Sequence, residues 1–169
     1  DLGSPYCLSG IMYRGVFTLC KNKQLKMPIH IEASTQEFWR SVPSKYKRLA
    51  GSTAKKGDIC IMQSRNNPST GHAYLCIEDE VKGKPQKTLE YNTDPNTGDR
   101  DGDGVYLRTR TQDGDDAKKY LGAVDICQWI RDLNKIPEVV TPVVTQPKEE
   151  LSPYIPLSWE VGHRERKEW

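Results

Sequence analysis

The spacing of the turn-rich pieces in the middle of this chain constrains its fold most. Between Asp58 and Ile126 five short β-type runs are read: 58–63 (DICIMQ), 72–78 (HAYLCIE), 87–92 (KTLEYN), 104–110 (GVYLRTR) and 120–126 (YLGAVDI). They are separated by "SRNNPSTG", "EVKGKP", "TDPNTGDRDGDG" and "TQDGDDAKK", all rich in turn residues. A parallel crossover needs about a dozen residues or more, so these spacings favour antiparallel pairing. Two helical signals precede the strands. Leu8, Ile11, Met12, Gly15 or Val16, and Leu19 keep a helical spacing from Pro5 to about Leu19, with Ser4 suited to the N-cap and Pro5 to the first helical position. Ser34 and Glu37 have capping-box spacing ahead of Phe38, Trp39 and Val42, and Pro43 closes that segment. The expectation is an α+β domain, its N-terminal helices packed on one side of a small antiparallel five-stranded sheet.

The 169 residues suit one domain, 1–135, and a Pro-rich linker or tail, 136–169. Five of the eleven prolines fall in "IPEVVTPVVTQPKEELSPYIP", which limits both helix and central strand there. A net charge of +2 is too small to point to nucleic acid. No run of about 18 apolar residues exists, so no membrane-spanning helix is expected. The chain opens on Asp1 rather than Met, as a processed, trimmed or partial sequence would.

The five cysteines are odd in number and contain no C-x-x-C pair, which fits neither a disulfide framework nor a structural zinc site. Cys60 and Cys76 sit in the apolar runs "DICIM" and "AYLCI", and Cys127 follows "GAVDI"; these three read as small core residues. Cys7 differs. With Ser4 as N-cap it is the third helical residue, where unpaired N–H groups and the helix dipole favour thiolate over thiol. The same N–H groups could hold an oxyanion. The plainer reading of Cys7 is a buried small residue facing the second turn.

A nucleophile needs a base, and the chain has three histidines. His30 lies in a connecting segment and His163 in the tail, while His72 opens a strand after Gly71. The strand period puts His72, Tyr74 and Cys76 on one face. On the following strand Glu90 and Asn92 share a side, and either could accept from the imidazole N–H and fix its tautomer. Taken singly, these are an ordinary histidine and a solvated strand face. Two acidic pieces remain. "DRDGDG" at 99–104 begins like a calcium loop through Asp99, Asp101 and Asp103, but Leu107 and Arg110 occupy the later ligand positions. It reads as a polar hairpin loop, with no metal expected. "DGDD" at 113–116 reads as a solvated turn. Arg108 and Arg110, on one face of their strand, would pair with these aspartates or meet a substrate carboxylate.

The ordered series "PYC … GDI … GHAYLCIE … EYNT … GDGVYLRTR … YLGAVDI", about residues 4–126, resembles the CHAP family of cysteine, histidine-dependent amidohydrolases/peptidases. These belong to the papain-like, NlpC-type peptidoglycan hydrolases. The resemblance implies a papain-like fold, Cys7 as nucleophile, His72 as base, and Glu90 with Asn92 as orienting or polarising groups. It places the aromatic residues Tyr6 and Tyr91 beside the substrate. It implies bacterial peptidoglycan as substrate, cut by a muramoyl-alanine amidase or endopeptidase that acts on the cell wall without a cofactor, as a monomer. The chain departs from the pattern at Leu8, where a small residue is usual, and at Tyr91, where glycine is usual. The alternative is a non-catalytic wall-binding or virion/secretion module retaining the fold.

Overall fold

The computed structural model describes residues 7–29, 34–93, 104–112 and 118–137. Its contacts set off Asp1–Glu138 from Val139–Trp169, and every described residue belongs to the first unit. The Pro-rich segment beyond residue 137, Tyr6, His30, His163 and the acidic pieces 99–103 and 113–116 lie outside the described residues, as does the side chain of Asn92.

The strands are β1 (Lys47–Leu49), β2 (Ile59–Ser64), β3 (Gly71–Cys76), β4 (Gln86–Thr93), β5 (Gly104–Arg110) and β6 (Lys118–Val124). They form one antiparallel sheet in the order β1-β6-β2-β3-β4-β5. The sheet therefore has six strands, not five. The additional strand, β1, is three residues of sequence KRL with no apolar alternation, and it exists because β6 offers it an edge. The last strand also ends earlier than its apolar run implies. Asp125 accepts a hydrogen bond from the Gln128 backbone N–H at 2.9 Å and starts a helix over Ile126–Leu133, so Cys127 is helical.

The first helix begins as an α-turn over Cys7–Gly10, widens to π geometry over Ile11–Phe17, and returns to α over Thr18–Asn22. Within it the Thr18 hydroxyl donates to the Tyr13 carbonyl, five residues back, at 3.0 Å. The expected capped helix is present over Thr35–Ser41, with the Ser34 side chain accepting from the Glu37 N–H at 3.3 Å. No helix among the described residues is long and apolar enough to cross a membrane.

Alternation sorts the sheet into two apolar layers. Ile59, Ile61, Ala73 and Val124 face the helices and pack with Leu8, Ile11, Met12, Val16, Phe38 and Ile130. Each large member of this layer stabilises the fold by about 1.5–3 kcal/mol relative to exposure. Cys60, Met62, Tyr74, Cys76, Tyr120 and Ala123 form a second layer on the opposite face. Buried Asp58, the acid of the "GDI" turn, joins β1 to this frame. It accepts from Arg48 Nε and from the Lys55 N–H, both at 2.8 Å, while Arg48 also pairs with Asp125.

Candidate active site

Sheet topology makes the site. Pairing of β3 with β4 runs from Cys76↔Thr88 to Tyr74↔Glu90 and stops there, so the start of β3 parts from the end of β4. The first turn of the N-terminal helix packs against both strands at this parting. Two glycines permit the approach. A Cβ on Gly71 would overlap the Met62 carbonyl, so a residue without a side chain must precede His72. A Cβ on Gly10 would overlap the ring of Tyr91, which seats on the helix at that point and is partly buried. The bulk of Tyr91 is thus matched by the absence of a side chain at Gly10.

Cys7 and His72 meet here, both buried, with 4% and 7% of their surface exposed. Burial pushes the Cys7 thiol up, but the hydrogen bond and charge of His72, with the N–H groups of Ala73 and Leu8, outweigh it and hold the thiol below its ordinary value. The chief lowering influence is therefore the imidazole, with the helix-start N–H of Leu8 a smaller one. Burial pulls the His72 imidazole down, and its bonds to Cys7 and Glu90 reverse that and leave it raised.

Glu90 stands behind the histidine. Its Oε2 lies 2.9 Å from His72 Nε2, and it is completely buried. Burial raises this carboxyl, but Arg110 and then His72 overcome it and hold the pKa at about 2. An ionised carboxylate only accepts, so Nε2 carries the proton and Nδ1 is left to face Cys7. Glu90 thus holds the imidazole, while the side chain of Asn92, the other orienting candidate, lies outside the described residues.

Two partners of Glu90 escaped the sequence reading. The Thr88 hydroxyl donates to Oε1 at 2.8 Å, and Arg110 takes both oxygens, Nε to Oε1 at 2.6 Å and Nη2 to Oε2 at 2.7 Å. Arg110 thus engages the carboxylate that bonds His72. The signal was available in parity. The β4–β5 register pairs Gln86↔Arg110, Thr88↔Arg108 and Glu90↔Tyr106, which places Thr88, Glu90 and both arginines on one face. Among the described residues no group of three or more His, Cys, Asp or Glu could hold a metal ion.

The other cysteines lie elsewhere. Cys60 and Cys76 are both 1% exposed in the second apolar layer, with their sulfurs 3.2 Å apart, and Cys20 is buried among the helix residues. A cavity of about 600 Å3 opens between the 50–53 and 80–84 turns and is lined by Arg65, Lys82, Lys84 and Lys119; it includes none of Cys7, His72 or Glu90. No protein family matches this chain, and no curated protein matches it.

Proposed function

We propose that this chain is a cysteine amidohydrolase or peptidase of the CHAP type, with a papain-like arrangement, cleaving amide bonds in bacterial peptidoglycan. The observation that carries the reading is the line Cys7–His72–Glu90: a thiol lowered chiefly by an imidazole whose far nitrogen bonds a buried carboxylate. That is the arrangement nucleophilic catalysis requires. The choice of peptidoglycan rests on the resemblance of the ordered motifs.

In this mechanism the Cys7 thiolate attacks the amide carbonyl carbon. The C–N bond breaks as the His72 imidazolium delivers its Nδ1 proton to the leaving amine, and a thioester remains. Neutral His72 then takes a proton from water, whose oxygen attacks the thioester carbon; the C–S bond breaks and the thiolate–imidazolium pair returns. Glu90 stays ionised throughout and keeps the ring oriented. The backbone N–H groups at the helix start are the candidate oxyanion donors. Tyr6 and Tyr91 are the candidate substrate-facing aromatics, and no cofactor enters the scheme.

One observation favours the rival, a non-catalytic wall-binding module: the low exposure of Cys7. Mass spectrometry of fragments released from purified peptidoglycan decides between them. The wild type should release products one water heavier at the cut amide, and the position of the new amine tells an amidase from an endopeptidase. Cys7→Ala should release none while keeping its circular dichroism. Equal release by both proteins would overturn the assignment.

A further inference from the structure

Beyond the nucleophile and its base, the face shared by β4 and β5 carries one more group that touches the site's machinery. Arg110 lies at the far end of β5, paired in register with Gln86, and its side chain runs back along the sheet past Thr88 to reach Glu90. Its guanidinium carbon lies 5.8 Å from the centroid of the Tyr74 ring, and Tyr74 in turn lies beside His72, ring to ring at 6.4 Å. Tyr74 is 2% exposed, so this aromatic wall is fixed in place.

We infer that Arg110 is a positioning residue: its guanidinium grips both oxygens of Glu90 and so fixes the carboxylate that turns His72 toward Cys7. This rests on the reading of Cys7 and His72 as a nucleophile and its base. The geometry supplies the reason. Each carboxylate oxygen of Glu90 has two donors, Thr88 and Arg110 on Oε1, Arg110 and His72 on Oε2. A carboxylate so held cannot rotate away from the imidazole, and a fork of two N–H groups fixes its plane as well as its place.

The charges add a second reason. Counted from sulfur to guanidinium, the active form reads thiolate, imidazolium, carboxylate and guanidinium, which sums to zero. Without the last member, a buried carboxylate would act on the imidazolium with its full charge and hold the proton too firmly for the thioester-cleaving step, where His72 must act as a neutral base. Arg110 therefore influences the second half of the reaction most, through Glu90 and without touching substrate.

The test uses Arg110→Gln and Arg110→Lys in the full chain, each checked for folding by thermal melting. The first readout is the pH midpoint of Cys7 alkylation by iodoacetamide, which needs no substrate. Removing the cation raises the midpoint in Arg110→Gln by about one pH unit, because the thiolate loses a favourable charge; lysine keeps the cation and keeps the midpoint. The second readout is turnover on peptidoglycan. Lysine offers one ammonium instead of a planar fork, so kcat falls about tenfold or more in both variants while KM holds. A residue that merely braces β4 against β5 would lower the melting temperature and move neither readout. Should Arg110→Gln fail to fold, wild-type kcat in folded Arg110→Lys overturns the inference. An unchanged midpoint in folded Arg110→Gln does the same. If the alkylation shift appears but no variant, nor the wild type, cuts peptidoglycan, the positioning role stands and the proposed substrate fails.

Discussion

Cys7 at the helix start and the Cys60–Cys76 pair in the second apolar layer are not told apart by burial alone. Cys7 is 4% exposed, Cys60 and Cys76 1% each. Yet Cys7 is lowered, while Cys76 is raised, first by its bond to Cys60 and then by desolvation. Around Cys76 the neighbours are Cys60, Tyr74 and Tyr120, groups that gain negative charge when they ionise. Around Cys7 the first neighbour is an imidazole, which gains positive charge. A buried thiol is favoured as thiolate when the group that shares its desolvation ionises with the opposite sign.

The largest effect that would break this contrast is in hydrolysis. Cys7→Ala should lose more than about 10^3-fold in turnover, whereas Cys60→Ala and Cys76→Ala should stay near wild type; comparable losses in all three would dissolve the distinction. His72→Ala sharpens it by removing the opposite charge. Alkylation of Cys7 at neutral pH should slow by roughly 10–100-fold, its midpoint rising toward the ordinary thiol value of 9.0. Cys60 and Cys76 should need denaturant to react before and after that change.

Acid stability comes next. Glu90 has its folded pKa held at about 2, below an ordinary value of 4.5, so its contribution is fully present above pH 4.5 and is lost as pH falls toward 2. Roughly 3 kcal/mol should disappear over that window in urea titrations, and Glu90→Gln should be flatter there. Neither Cys60 nor Cys76 bonds Glu90, so Cys60→Ala should leave the acid limb in place and cost about 1 kcal/mol at every pH. Smaller again is the packing at the helix start. Gly10→Ala should cost about 1–3 kcal/mol by overlap with Tyr91, and adding Tyr91→Ala should return part of it. Strict additivity in that double-mutant cycle would mean that the ring does not seat the helix that carries Cys7.

Much of this was legible in the residues, unevenly. Turn spacing and alternation revealed an antiparallel sheet and the two faces of β3, because each signal is local. The Ser34 cap was legible for the same reason. β1 was not, since its three residues acquire strand geometry from a partner more than 70 positions away. The helix Ile126–Leu133 was hidden by apolar residues continuing past the strand end, although Asp125 and Gln128 mark its start. At the site, Cys7, His72 and Glu90 could be nominated by type and position, whereas the hold of Arg110 on Glu90 depends on hairpin register across 20 residues. Residue type alone left that arginine two plausible occupations, neither of them Glu90.

The widened segment over Ile11–Phe17 sets the rotational phase of Cys7. Such a segment adds a residue to an otherwise regular helix, and each residue turns an α-helix by about 100°. Val16 and Cys20 anchor one end in the interior, so the surplus residue dictates which way the other end points when it arrives at His72. Gly15, exposed with open space around its Cα, is where the surplus could be deleted with least steric disturbance. Shortening the chain there would swing the sulfur a quarter-turn or more off its bearing while every strand stayed where it is.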